Sequence, residues 1–339
     1  MPNLDYLERL IVGCWQLAAG HGQIRQSASL EVLTAYYDAG FRVFDCADIY
    51  TGVEELLGSF VAAHGLAAGE LKIHTKYVPD LSSLPTLSQD EITRAIDRSL
   101  TRLGVERLEL VQFHWWDYRV PGYLEALDAL AALRREGKIK EIGLTNFDAQ
   151  RTEEILTQGI PIASLQTQYS LLDRRPQRQL AALAREHAVP LLCYGSVAGG
   201  LLSGRYLGAP PPGTPENRSL VKYLLILEEM GGWQSLQVIL QVLNEIATER
   251  DTDIATVACS YCLSREAVAA CIVGVRNQKH LERHRELRDG FALSQHEIDR
   301  IELVRCAFTE IPGRVYELER DREGRHGRIM KYDLNRYSA

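Results

Sequence analysis

Short apolar runs alternate with longer amphipathic stretches along almost the whole chain, and that alternation constrains the fold more than any single residue does. The strand-like runs are Leu10 to Cys14, Arg42 to Asp45, Leu71 to Lys76, Leu108 to His114, Ile139 to Leu144, Ala163 to Thr167, Leu191 to Gly195 and Ala270 to Gly274. Between them, segments such as Leu30 to Ala39, Asp90 to Leu103, Tyr123 to Arg135, Gln177 to Glu186 and Leu236 to Arg250 bring apolar residues back every three or four positions. This pattern reads as βαβ units on a parallel sheet. Eight units without an intervening linker predict a closed α/β barrel, the (β/α)8 TIM architecture, rather than an open sheet. The run GAPPPGTPENRS, Gly208 to Ser219, reads as part of a long loop after the seventh strand and not as a domain linker. The expected organisation is one barrel domain over residues 1–310 and a charged C-terminal extension over 311–339.

Composition narrows the partners. The 38 Lys and Arg against 45 Asp and Glu leave a net charge of −7, which gives no electrostatic case for nucleic acid or an anionic membrane surface. No run approaches the roughly 18 apolar residues of a membrane span. The opening MPNLDYLERL carries charge too early for a signal peptide, and the 7 Cys lack the spacings of a disulfide scaffold. The expectation is a reduced, cytoplasmic protein acting on a small molecule. An assembly of identical chains is compatible with the sequence.

In a barrel of this type the active site forms at the C-terminal ends of the strands, so polar residues there carry weight. Asp45 ends the second run, Lys76 the third (LKIHTK) and His114 the fourth (LVQFH), while Tyr50 lies a few residues beyond Asp45. The four together suit proton transfer at a carbonyl. A phenol is a poor acid at neutral pH, and an ammonium alongside stabilises its phenolate; Lys76 supplies that charge to Tyr50, and Asp45 keeps Lys76 protonated. His114 is placed to donate to a substrate oxygen as negative charge develops there. Trp15, Asp48, Trp115, Trp116 and Tyr118 are the candidates to line the pocket, with core packing the competing reading for each aromatic.

DCADIY with the strand-end Lys76 and His114 resembles the catalytic tetrad of the aldo-keto reductase family, and GLTNF, QTQYS and IVGVRN extend the resemblance from Gly13 to about His284. The resemblance implies a barrel that holds an extended NADPH without a Rossmann motif, in keeping with the lack of a strand–GxGxxG–helix run. Hydride would pass from the nicotinamide to a carbonyl carbon while Tyr50 protonates the oxygen. By the same resemblance Gly13, Cys14, Trp15 and Asp45 belong to the cofactor cleft. Thr145, Asn146 and Gln166 hold the carboxamide, Tyr194 stacks on the nicotinamide, and Gly195, Ser196, Gly200 and Leu201 belong to the loop over the pyrophosphate. Gly274, Arg276, His280 and His284 lie at the adenosine end. Arg276 falls where a cation meets the 2′-phosphate, whereas His280 and His284 replace the family's usual Gln and Asn. The histidine at position 114 implies carbonyl rather than alkene chemistry.

Two alternatives stay open on sequence: a cofactor-binding regulatory member with little turnover, and a barrel lyase using Lys76 as a Schiff base. No metal site is expected. CSYC, Cys259 to Cys262, lies inside a helical run without a second ligand pair, and the pair His280 and His284 in HLERH is not HExxH. The tail, with Tyr316, Tyr332 and Tyr337 among its charges, reads as a solvated or barrel-covering extension, with roofing of the site or contact between chains as further roles.

Overall fold

The computed structural model describes residues 4–18, 26–67, 69–215 and 218–335. Its strands are β1 (Leu10–Gly13), β2 (Val43–Asp45), β3 (Lys72–Tyr77), β4 (Leu108–Phe113), β5 (Ile139–Thr145), β6 (Ile162–Gln168), β7 (Leu191–Tyr194) and β8 (Val268–Gly274). They close into a barrel in chain order, β1 through β8. Each falls on its expected run within two residues, because short apolar-rich runs between helical patterns mark the buried strands even where polar residues interrupt them, as in IASLQTQ of β6. Tyr337 and part of the run Gly208 to Ser219 lie outside the described residues.

Two compact units make up the chain, and the division passes through β6 and β8. The first holds Met1–Gln166, Ile272–His280 and Lys331–Ala339; the second holds Thr167–Cys271 and Leu281–Met330.

In the first unit β1 to β6 pair in parallel, with Gly13 beside Asp45, Asp45 beside His74, Lys76 beside Gln112, Gln112 beside Gly143 and Thr145 beside Gln166. The alternation along β3 sorts its side chains. Thr75 donates to Glu54 of the helix Val53–Ala63 at 2.6 Å, so Lys72, His74 and Lys76 face the other way, into the barrel. Gly13 is required where β1 and β8 approach closely: a Cβ there would stand 2.9 Å from Ile272 Cγ2 and 3.0 Å from the Val273 carbonyl oxygen. The helix Gln89–Leu103 shows how the outer layer is specified. Ser88 and Glu91 form a capping box, Gly104 ends the helix at φ 66°, and Ile92, Ala95, Ile96 and Leu103 make its buried stripe.

In the second unit the stretch expected as one helix from Gln177 divides into a 3-10 turn, Arg175–Gln177, and a helix, Leu180–Glu186. Pro176 opens the turn, and Gln179 and the kinked Arg178 stand outside both elements, so the apolar periodicity there reports packing rather than one continuous helix. Cys259 and Cys262 are buried within the helix Ile254–Leu263, as core residues. The first part of the tail is not simply solvated. Ile311, Val315, Tyr316 and Glu319 are buried in this unit, Glu319 completely.

Candidate active site

The first unit gathers Asp45, Tyr50, Lys76 and His114 at the C-terminal ends of β2, β3 and β4. Lys76 Nζ donates to Asp45 Oδ2 at 2.6 Å and to the Cys46 carbonyl at 2.8 Å, and it lies 5.0 Å from the Tyr50 ring centroid. Burial works against charge on Lys76, but Asp45 and Tyr50 more than offset it, so the ammonium is held above its ordinary range. Tyr50 is pushed up to about 12: burial dominates, and the positive charge of Lys76 pulls in the opposite direction without overcoming it. Lys76 thus favours the phenolate, yet burial leaves Tyr50 protonated throughout the neutral range. Trp15, in the 3-10 turn after β1, packs its ring 4.6 Å from that of Tyr50.

His114 is buried with Nδ1 3.1 Å from the Thr145 carbonyl oxygen. That oxygen only accepts, so Nδ1 carries the proton, and Nε2 donates to a substrate only when the ring is an imidazolium. Trp116 stands edge-on to His114 at 4.4 Å, its buried Nε1 without a hydrogen-bond partner among the described residues. Trp115, expected as a pocket aromatic, is placed instead in the packing behind the loop: its N–H is shared between the carbonyls of Asp117 and Val120, and its ring meets Phe113 and Tyr123. Tyr118 likewise packs against Phe147 and Tyr123.

The tail reaches this region, which sequence alone left open. Tyr332 packs edge-on to Trp116 at 5.1 Å, and its carbonyl accepts from the Leu81 N–H at 2.9 Å. Asn335 donates to the Val78 carbonyl at 2.8 Å and to Asp48 Oδ2 at 3.2 Å. Asp48, expected in the pocket lining, is thus an anchor for loops, since it also accepts from the N–H groups of Ile49 and Val78.

Burial, with the charge of Glu54 behind it, raises the Asp48 carboxyl to about 7. A carboxyl whose folded pKa exceeds its unfolded value binds more protons when folded, so its ionisation erodes stability as pH rises from about 4 to about 7. Three pKa units correspond to about 4 kcal/mol. Asp48→Asn is expected to abolish that slope in urea melts at pH 5 and pH 8, and an unchanged slope would show that the side chain titrates normally.

The aldo/keto reductase family model matches residues 9–305. The chain belongs to that family. It is 28% identical over 309 residues to L-glyceraldehyde 3-phosphate reductase of Escherichia coli O157:H7, covering 87% of this chain and 88% of that one. It is 31% identical over 251 residues to flagellar radial spoke protein 5 of Chlamydomonas reinhardtii, a match over 62% of this chain and 47% of that protein. A crystallised thermostable aldo-keto reductase shares the fold with a TM-score of 0.70 at 24% identity, covering 88% of this chain and 95% of its own.

For this aldo/keto reductase the positions expected to meet nucleotide divide between the units. In the first, Thr145 is buried at the end of β5 and Asn146 takes a left-handed φ of 63°, a conformation Asn tolerates better than most residues. Gln166 is buried with Nε2 2.7 Å from Asp45 Oδ1. Cys14 is fully buried beside Gly13, and Gly274 and Arg276 are exposed at the end of β8, with His280 in the 3-10 turn Gln278–His280. In the second, Tyr194 ends β7 half-buried. A Cβ at Gly195 would strike the Tyr223 hydroxyl at 2.1 Å and one at Gly199 the Tyr223 ring at 2.6 Å, so those two glycines let the loop pack against the helix Arg218–Met230. Ser196 turns inward onto Cys259 Sγ at 3.0 Å, Leu201 is buried, Gly200 has a φ of 97°, and His284 lies in the helix Leu281–Arg288. Among the described residues no cluster of His, Cys, Asp and Glu is arranged to hold a metal, and no helix is long and apolar enough to cross a membrane.

Proposed function

We propose that the chain is an NADPH-dependent reductase of aldehydes or ketones, able to run the reverse oxidation of an alcohol or sugar, with Tyr50 as general acid and base. The observation that carries this is the Lys76 ammonium pinned between Asp45, the Cys46 carbonyl and the Tyr50 ring. A fixed positive charge there stabilises the phenolate left when Tyr50 gives its proton to a carbonyl oxygen. It also weighs against a Schiff-base lyase, because an amine held protonated is no nucleophile.

When bound, NADPH would supply the hydride for the carbonyl carbon. The residues present suit such a group. With the Gln166 amide N–H2 turned to the Asp45 carboxylate, its carbonyl is left to receive a carboxamide N–H, and Thr145 and Asn146 stand at the neighbouring strand end. Arg276, exposed beyond β8, provides a guanidinium for the 2′-phosphate that distinguishes NADPH from NADH. His114 and the Trp116 N–H stand together as partners for the substrate oxygen, and Tyr332 of the tail borders Trp116. The seven cysteines are all free thiols, six of them buried, which suits a reducing compartment such as the cytoplasm.

Titration with NADPH and with NADH, followed by quenching of intrinsic Trp fluorescence, tests the reading. Arg276→Ala is expected to weaken NADPH binding about 10- to 100-fold, the loss of one or two charge-assisted hydrogen bonds, with NADH little changed. NADPH oxidation across a panel of small aldehydes and ketones then follows. Absence of binding by either nucleotide would remove the reductase reading, and tight binding without turnover on any carbonyl would favour a regulatory nucleotide-binding role.

A further inference from the structure

Behind the proton-donating residues lies a polar side chain that the mechanism above leaves unused. Gln112 sits in β4 two residues before His114, on the same face, and is fully buried. Its neighbour on β5 is Gly143, where a Cβ would come within 3.2 Å of Gln112 Cγ and 2.5 Å of Ser164 Oγ. The missing side chain at Gly143 leaves the room through which Gln112 extends across the barrel. Its Nε2 donates to Asp45 Oδ1 at 3.0 Å, and its Oε1 accepts from Gln166 Nε2 at 2.8 Å. Gln166 Nε2 also donates to the same Asp45 oxygen at 2.7 Å, while Lys76 takes the other at 2.6 Å.

The orientation of both amides follows from charge. An ionised carboxylate offers only acceptors, so each amide must turn its nitrogen to Asp45. The Gln112 carbonyl is then directed to Gln166, which uses both of its N–H bonds inward and keeps its carbonyl for the opposite side. A buried amide is retained at such a cost only where its hydrogen bonds are made, and both ends of Gln112 make them.

We propose that Gln112 is a positioning residue that couples the two halves of the reaction: it spreads the negative charge of Asp45 beneath Lys76 and Tyr50, and it locks the face that Gln166 presents to the nicotinamide carboxamide. The inference rests on the reductase reading given above. Gln112 touches neither substrate nor cofactor in this role and acts through Asp45 and Gln166. Without its donor, the Asp45 charge is less dispersed and opposes a Tyr50 phenolate more strongly, and Gln166 is free to turn its amide.

Gln112→Leu, with the wild type alongside, separates this from a filling role. The variant is expected to lose about ten-fold in kcat, the scale of a hydrogen bond to a charged group. The pH at which alcohol oxidation rises should move upward by about half a unit or more, as the phenolate becomes harder to form. NADPH affinity should fall about three-fold or more as Gln166 loses its fixed orientation. A lower kcat with the pH profile and NADPH affinity both unchanged would leave Gln112 a packing residue and overturn the proposal. Gln112→Asn, which keeps an amide one methylene too short to span the same partners, carries the same expectations if the Leu variant does not fold. A wild type inactive on every carbonyl would remove the reductase reading itself. An active wild type matched by its Gln112 variants would remove only the role of Gln112.

Discussion

Replacing Tyr50 by Phe is expected to lower kcat for carbonyl reduction by about 10²- to 10⁴-fold, equivalent to about 3 to 5 kcal/mol of transition-state stabilisation, with NADPH affinity held within about two-fold. The substitution removes one oxygen and keeps the ring. Trp15 retains its packing partner at 4.6 Å, and Lys76 retains Asp45 and the Cys46 carbonyl, so the ammonium has no reason to move. Only the proton that must reach the substrate oxygen is lost. Because burial holds Tyr50 at about 12 against the pull of Lys76, the wild type should show a reduction rate that does not depend on Tyr50 ionisation near neutrality. Alcohol oxidation, which needs the phenolate as base, should climb with pH. In the Phe variant the oxidation rate should lose that climb, while reduction stays flat and slow. A variant retaining wild-type kcat would remove Tyr50 from the proton path and shift the search to His114, whose Nε2 donates only as imidazolium.

The strands and the polar residues at their C-terminal ends were legible in the sequence for one shared physical reason. Strands of a parallel barrel are buried on both faces and read as apolar-rich runs, so the residues at their C-terminal ends, Asp45, Lys76 and His114, can be placed from the runs. Gln112 was missed by the same rule, since it lies inside the run LVQFH where a single polar letter reads as an exception to the core. The available signal was its spacing: at i, i+2 with His114 on a strand, it had to face the same way. The tail was opaque for a different reason. Tyr332 meets Trp116, and Asn335 meets Asp48 and Val78, across more than two hundred residues of chain, and no local pattern encodes such pairings. Trp115 and Trp116 were equally undecidable, because adjacent residues beyond a strand end are sorted by the loop's hydrogen bonds, and it is the Asp117 and Val120 carbonyls that claim Trp115.

The earlier part of the tail is held to the second unit by charge as well as by apolar burial, and Glu319→Ala is expected to cost about 3 to 5 kcal/mol. Glu319 is fully buried and takes both terminal nitrogens of Arg175, at 3.1 and 3.0 Å, while Asp173 takes the other edge of that guanidinium at 2.9 and 2.7 Å. Lys222 lies 3.9 Å from Glu319 and within 5.2 Å of the Tyr194 and Tyr316 ring centroids. Two cations thus face two anions, with Arg175, Asp173 and Glu319 buried and Lys222 at the edge of the cluster, and removing one anion leaves a net positive charge that is poorly solvated. Burial already draws the Lys222 ammonium below its ordinary range, so in the variant it should shed its proton first. If the loss is one of charge balance, Lys222→Met combined with Glu319→Ala should recover part of it, since Arg175 and Asp173 remain as a matched pair. The pH dependence has a definite sign. Although burial opposes its charge, Arg175 and Lys222 hold Glu319 down at about 2, so its contribution is complete above about 4.5 and is lost as pH falls from there toward 2, amounting to about 3 kcal/mol. Urea melts of the wild type, the Ala variant and the double variant at pH 7 and pH 3 read all three expectations. A Glu319→Ala variant within about 1 kcal/mol of the wild type at pH 7 would mean that water reaches the cluster and that apolar contacts of Ile311, Val315 and Tyr316 hold the tail without it.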